Sequence, residues 1–334
     1  MTHRALVTRG DGALVLEERV PLHPGPGELV VAPRAVGLCG TDLELVDGLV
    51  DPAYVRYPLV VGHEWTGVVT ESGAAPWTPG DRVVVEGIVP CRHCAHCAAG
   101  ATNICDTYSE LGFTFDGAAA GEVVVRAELA HEVAPHVASE DAALVEPAAV
   151  VYHGLSRVVA RPALECLVVG DGTIGLFAAQ LLQLWSPAKV VMAGRRKEQA
   201  DLALAAGADE YVVTAPRASF DLVVEAAGTP SSVRDALSAV RRGGAVLLLG
   251  LPPHGEAIPV PVDDLVNGDV VVRASFAYTS SSWSQVVALL NSGRIHPGAV
   301  VTHRFGLDEH RDAVTALRTP PPGVARGKVL LELP

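Results

Sequence analysis

Apolar residues fall into two textures along the chain. Up to about residue 145 they come in short runs broken by glycine and proline, such as Glu28-Leu29-Val30-Val31-Ala32, Gly67-Val68-Val69-Thr70 and Arg82-Val83-Val84-Val85. Each run is bounded by turn residues and predicts a short β-strand, and helical periodicity is scarce there. From about 150 to 275 longer apolar runs alternate with helical stretches. The pattern predicts strands at 167–170, 189–193, 209–213, 221–225 and 245–249, with helices over 174–184, 198–206 and 231–241. Continuous apolar strands alternating with helices predict a parallel sheet covered on both faces. A last piece, 276–334, carries one helix near 284–292 and a final strand, 328–333. Pro320-Pro321-Pro322-Gly323 reads as a rigid surface turn, and no internal repeat is seen.

At 334 residues the chain exceeds what one hydrophobic core usually serves, so two domains are expected. A composition of 49% hydrophobic and 19% charged residues is too apolar for disorder. With 25 Lys+Arg against 38 Asp+Glu the net charge is -13, and no basic cluster is dense enough to meet nucleic-acid phosphates. No stretch approaches the roughly 20 apolar residues of a spanning helix, and residues 1–10 lack the form of a signal peptide. A cytoplasmic protein without nucleic-acid or membrane partners is expected.

Gly170-Asp171-Gly172-Thr173-Ile174-Gly175 is a G-x-G-x-x-G that directly follows a predicted strand and opens a helix. The first glycine permits a tight turn, the second lets backbone approach a pyrophosphate, and the third lets helix and strand pack closely. The helix N-terminus, with Thr173 and Ile174 in its first turn, offers N–H groups and a favourable dipole to phosphates. Dinucleotide binding follows. An acidic residue at the end of the second strand would bond an NAD ribose, but Val190-Val191-Met192-Ala193 ends in Gly194-Arg195-Arg196-Lys197. A small residue leaves room for a 2′-phosphate that Arg195 and Arg196 can clamp, so NADP is expected over NAD.

Four of the six cysteines, Cys91, Cys94, Cys97 and Cys105, lie within fifteen residues at metal spacing. In a reducing compartment such a set reads as a closed structural zinc site. A second, dispersed constellation comprises Cys39 in Gly37-Leu38-Cys39-Gly40-Thr41-Asp42, His63 and Glu64 in Gly62-His63-Glu64-Trp65, and Glu146 in Val145-Glu146-Pro147. One thiolate, one imidazole and one or two carboxylates suit a zinc site that keeps a position open to a substrate oxygen, although spacing alone makes this a weak signal. Cys166, in a predicted strand, reads as a buried apolar residue.

Taken in order, these motifs resemble the zinc-dependent medium-chain dehydrogenase/reductase superfamily over essentially the whole chain. The branch they are most similar to contains sorbitol, threonine and glucose dehydrogenases and the cyclitol (2-deoxy-scyllo-inosamine) dehydrogenases, which use Glu at the position of Glu146. The resemblance implies an α/β protein with a GroES-like β-rich catalytic domain (1–148) bearing the four-cysteine lobe (91–105). A doubly wound parallel-sheet Rossmann domain (149–275) follows, and a C-terminal segment (276–334) completes the catalytic domain. It further implies Cys39, His63 and Glu146 as catalytic zinc ligands, with Glu64 ligating or exchanging. Asp42 would orient the zinc-bound His63, and Thr41 would receive the alcohol proton. Two departures stand out. Glu44 occupies the position where many members carry a histidine of the outward proton path. Asp116-Gly117-Ala118-Ala119-Ala120-Gly121-Glu122 lacks the aromatic residue usual there, which widens the pocket if that segment faces substrate.

The expected activity is hydride transfer between NADP(H) and a secondary alcohol or ketone of a polyol, sugar, cyclitol or amino alcohol, with two zinc ions per chain. Tyr54, Tyr57, Trp65, Phe276 and Trp283 are candidate pocket walls. Alternatives are an NADPH-dependent carbonyl or conjugated-alkene reductase of biosynthesis, and a non-catalytic dinucleotide-binding redox sensor. By similarity to the family, a homodimer or homotetramer is expected.

Overall fold

The computed structural model describes residues 2–158, 161–252 and 255–334. In chain order the first strands are β1 (His3–Thr8), β2 (Leu14–Arg19), β3 (Glu28–Leu38), β4 (Leu59–Val60), β5 (Glu64–Ser72), β6 (Arg82–Val85), β7 (Val123–Arg126) and β8 (Ala130–Glu132). Short helices α1 (Gly40–Val46), α2 (Ala95–Ala98) and α3 (Ser139–Ala143) interrupt them, and α4 (Val145–Ser156) closes this half. Next come β9 (Glu165–Val169), α5 (Thr173–Leu182), β10 (Lys189–Ala193), α6 (Ala200–Ala205), β11 (Glu210–Val212), β12 (Phe220–Glu225), α7 (Pro230–Ala239), β13 (Val240–Leu248), α8 (Val262–Gly268) and β14 (Val271–Ala274). The chain ends with α9 (Ser280–Asn291), β15 (Val301–Gly306), α10 (His310–Arg318) and β16 (Lys328–Glu332). Among these residues no helix is long and apolar enough to cross a membrane.

The chain divides into two compact units. Unit 1 comprises Met1–Glu146, Thr279–Pro321 and Lys328–Pro334, and unit 2 comprises Pro147–Tyr278 with Pro322–Gly327. Unit 1 is β-rich. A three-stranded sheet runs β2-β1-β4, and a larger one runs β15-β16-β3-β5-β6-β8 with β7 also on β3. Alternation along β3 and β5 sends Leu29, Val31, Val36, Trp65 and Val69 into one core with Val83, Val85, Val329 and Leu331. The C-terminal strand β16 pairs antiparallel with the end of β3, with Val329 opposite Leu38.

Unit 2 is an all-parallel sheet ordered β11-β10-β9-β12-β13-β14. Counted from its own first strand this is 3-2-1-4-5-6, the doubly wound dinucleotide-binding order, whose crevice opens at the carboxyl ends of the two central strands. β9 and β12 meet there.

The structure shifts several elements relative to the sequence pattern. The helix expected over 231–241 stops at Ala239, because Val240 is claimed by pairing with Phe220 of β12. α9 begins at Ser280, ahead of its apolar run, because the Thr279 hydroxyl accepts the Ser282 N–H and caps it. The C-terminal piece holds a second helix, α10, which the pattern missed because it is short and mostly polar. β14 and α8 were also hidden: β14 is an edge strand exposed at all four residues.

His153 of α4 is buried, and its pKa is pushed down to about 4 by that burial, with Arg157 and Arg273 adding to the effect. The fold therefore refuses a proton that the unfolded chain accepts near 6.5. Stability from this site is complete above pH 6.5 and is lost as pH falls towards 4. Denaturant unfolding of the protein and of His153→Gln at a series of pH values should show a shallower decline for the variant across that window.

Candidate active site

The site is assembled where β3 ends. Cys39 caps the N-terminus of α1, and the Asp42 carboxylate one turn later reaches back to accept the Cys39 N–H at 2.9 Å. Its other oxygen accepts the Gly62 N–H at 3.3 Å and lies 3.3 Å from His63 Nδ1. Burial opposes the charge on Asp42, but the His63 ring and the Cys39 N–H outweigh it and hold the carboxyl below its ordinary range. Gly62 has φ +99°, and a Cβ there would press against Val36 and the Ala119 nitrogen. Glycine is thus required where the chain turns to present His63. With Nδ1 facing Asp42, Nε2 faces Cys39 Sγ at 3.3 Å.

Strand register delivers the carboxylate. Gly37 stands opposite Glu64, and a side chain at 37 would collide with it. The opposite flank is β16, whose Lys328 is only 2% exposed. Lys328 Nζ donates to Glu64 Oε1 at 2.6 Å and to the Leu38 carbonyl at 3.3 Å. Burial alone would lower the lysine's pKa. Glu64 and Cys39 reverse this and raise it.

Cys39 Sγ, a His63 nitrogen and a Glu64 oxygen all lie within 4.8 Å of one another. Glu146 is buried at the first turn of α4 but is not part of this group of three. Its carboxyl is pushed up to about 8, chiefly by burial and further by Glu64 and Glu110, against the pull of His63 and Lys328. Thr41 is half-buried on α1 next to Cys39 and Asp42, and Glu44, one turn on, is exposed.

Around this group the structure adds residues that sequence reasoning missed. The Phe113 ring lies 5.2 Å from the His63 ring, and the turn at Gly112 packs on His63. Glu110 is buried, its carboxyl raised by that burial, and it accepts the Tyr108 hydroxyl at 2.5 Å. Tyr54 stands edge-on to Tyr108. The sequence signal available was the aromatic run Tyr108 to Phe115. Of the aromatic walls expected, Trp65 and Trp283 are fully buried packing, and the Tyr57 hydroxyl is tied to the Leu45 carbonyl. Phe276 belongs to unit 2 and is exposed. The segment after Asp116 does not open a pocket: Ala118, Ala119 and Ala120 are buried, and the backbone of 117–119 bonds to Val60, Val61 and Gly62.

The four clustered cysteines converge as well. All four sulfurs lie within 4.8 Å of one another, and all are free thiols. Backbone N–H groups of Cys91, Cys94 and Cys97 point at the sulfurs of Cys105, Cys91 and Cys94 in turn. Backbone donors, that of His93 foremost, bring the Cys91 thiol down to about 6, towards the thiolate that holds a metal, whereas burial pushes the Cys97 thiol up to about 12.

In unit 2, Gly170 follows β9 with φ +119°, and a Cβ there would meet the Ala227 nitrogen at 2.8 Å. Buried Glu225 fixes that facing loop by accepting the Ala227 and Gly228 N–H groups and the Ser232 hydroxyl. Gly172 caps α5 over open space, Thr173 and Ile174 form its first turn, and a side chain at Gly175 would collide with the Gly170 carbonyl. At the end of β10, Gly194 is buried, Arg195 exposed and Arg196 half-buried. These features fit a dinucleotide: open backbone at a helix N-terminus, and glycine wherever a side chain would block approach or packing. The thiolate, imidazole and carboxylate set likewise fits zinc.

Fold and site define a nicotinamide-type oxidoreductase with metal-binding donor sets. Residues 25–135 match the alcohol dehydrogenase GroES-like domain, and residues 173–292 match the zinc-binding dehydrogenase domain. D-arabinitol dehydrogenase 1 of Uromyces fabae is 31% identical over 304 residues, covering 86% of this chain and 86% of that protein. A zinc-binding dehydrogenase of Sinorhizobium meliloti 1021 bound to NADP superposes with a TM-score of 0.91 at 26% identity, over 100% of both chains. A short chain alcohol dehydrogenase of Escherichia coli CFT073 complexed with NADH gives the same TM-score, identity and coverage. The chain belongs to the zinc-binding alcohol dehydrogenase family, built on the medium-chain plan of a GroES-like and a Rossmann domain.

Removing one member of a buried ion pair leaves the other charge uncompensated, at a cost of about 3–5 kcal/mol. Lys328→Met in metal-free protein should therefore lower the unfolding free energy by roughly that amount. Adding Glu64→Gln should recover most of the loss, and denaturant titration of both variants checks this.

Proposed function

We propose that the chain interconverts a secondary alcohol and its ketone on a polyol-type substrate, using NADP(H) and a zinc ion at Cys39, His63 and Glu64, with Glu146 as the exchanging carboxylate. The observation that carries this reading is the convergence of the Cys39, His63 and Glu64 donor atoms, with Asp42 set behind the imidazole. When bound, zinc supplies Lewis acidity that makes an alcohol easier to deprotonate, and the nicotinamide supplies the hydride acceptor. The chain's own residues do the rest. Asp42 fixes the ring so that Nε2 is presented to the metal position. Thr41 takes up the substrate proton in this reading and exposed Glu44 passes it to water, which their spacing of three on one helix supports. Lys328 offsets the charge of Glu64, so that the carboxylate-rich site is not over-charged.

Adjacent hydroxyls on the substrate are favoured by half-buried Tyr108 and its partner, buried Glu110, beside His63, and the arabinitol-oxidising relative supports the same class. The preference for NADP rests on Gly194, Arg195 and Arg196, where no carboxylate follows β10. Both cofactors occur among the similar structures, so these residues carry that part of the reading. A second zinc belongs to Cys91, Cys94, Cys97 and Cys105, where four protein ligands leave no place for substrate. The free thiols accord with a reducing, cytoplasmic setting. Exposed Val271 and Val272 on edge strand β14, with Val262 and Val266 of α8, support association of two copies through this face.

Nicotinamide absorbance with a panel of pentitols, hexitols, cyclitols and amino alcohols, run with NADP and NAD in parallel, tests the reading. Turnover is expected with NADP on a polyol. Cys39→Ser should lose about a thousandfold in turnover and one of two bound zinc ions. Full turnover and full metal content in that variant would refute the assignment.

A further inference from the structure

We infer that Asp171, the residue between the first two glycines of the phosphate-binding loop, sets the chain's discrimination between NADPH and NADH by partly neutralising Arg196. The inference rests on the proposed reading of Gly194, Arg195 and Arg196 as the end of the site that meets the cofactor's 2′ position.

The carboxylate that β10 lacks is supplied from the neighbouring loop. A Cβ built on Gly194 would overlap Asp171 Oδ2, and it would lie 2.5 Å from the Tyr211 hydroxyl. Asp171 thus fills the space beside Gly194 that a side chain on β10 would otherwise take. It is 9% exposed and heavily engaged. Oδ1 accepts Arg196 Nη2 at 2.7 Å, and Oδ2 accepts the Tyr211 hydroxyl at 2.9 Å and the Arg196 N–H at 3.4 Å. The Tyr211 hydroxyl also reaches the Arg196 carbonyl at 2.6 Å, so its single proton serves two acceptors.

Gln199, fully buried, ties a further cation to the same place. Its Nε2 donates to the Asp171 carbonyl at 2.6 Å and to the Arg326 carbonyl at 3.0 Å, while its Oε1 accepts the Arg326 N–H at 2.7 Å. Arg326, in the segment that returns to unit 2, has its pKa lowered by burial and by Arg196, with Asp171 opposing. One carboxylate therefore pairs with the Arg196 guanidinium and acts electrostatically on that of Arg326 as well. A 2′-phosphate arriving at Gly194 must share Arg196 with Asp171 and accept a like charge beside it, whereas a free ribose hydroxyl meets neither cost. The arginines draw the phosphorylated cofactor and Asp171 holds that preference down.

Dissociation constants of NADPH and NADH, read from nicotinamide fluorescence on binding, test this without turnover. Asp171→Asn keeps the shape and removes the charge, so NADPH should bind on the order of tenfold more tightly while NADH changes by no more than about twofold. Asp171→Ala, which adds no amide, should shift the ratio in the same direction. General damage to the loop would weaken both cofactors together and leave the ratio unmoved. An unchanged ratio, or one shifted towards NADH, overturns the inference. If Arg196→Ala still costs NADPH selectively, the reading of the 2′ end survives that failure. If Arg196→Ala weakens both cofactors equally, that reading and the inference fall together.

Discussion

One carboxylate, that of Asp42, joins three functions that the chain would otherwise have to solve separately. It satisfies the Cys39 N–H at the start of α1, holds the Gly62 N–H where the backbone turns with positive φ, and stands behind His63 Nδ1. Cys39 and His63 are 24 residues apart, yet this single acceptor sets the direction of both side chains. Its burial is costly for an ionised group, and two N–H donors together with the charge of the His63 ring are what make it tolerable. The site is therefore built into the fold, and rotating His63 would leave a buried charge short of a partner.

The strand order of unit 1 explains why the site also depends on the chain's far end. β16 leaves the second half of the chain to pair with β3, and this places Lys328 against Glu64 across 264 residues of sequence. The final residues divide within a short stretch: Lys328 serves the donor set in unit 1, while Arg326 belongs to unit 2 and is held by Gln199. A few residues near the C-terminus are thus divided between the two units.

Local motifs were legible in the sequence because their geometry is local. The glycine loop from Gly170 to Gly175, its strand-to-helix setting and the four-cysteine lobe each lie within one turn or one short excursion, and the β-α alternation announced the parallel sheet. Cys39, His63 and Glu64 were legible as residue types, but only the register of β3 with β5 brings them together. Lys328 was hidden inside an apolar final strand, and nothing nearby signals its partner. Glu110 was overlooked because burial, and not spacing, gives it its character, and Tyr108 because its role is to bond that carboxylate. The arginines after β10 were legible as a phosphate clamp, but the pairing of Arg196 with Asp171 of the glycine loop could not be read from spacing. Trp65 and Trp283 are candidate walls by residue type alone, and they take the commoner role of large aromatic residues by filling the core.

The most direct test of the central claim is the zinc content and zinc affinity of Asp42→Asn, measured by elemental analysis and competition with a chromogenic chelator. The amide keeps one acceptor but turns a donor towards Gly62 or His63. The account predicts a folded protein that retains the four-cysteine metal and binds the metal at Cys39 and His63 about 10–100-fold more weakly. Two zinc ions held at unchanged affinity would show that Asp42 does not govern the site, and would contradict the account.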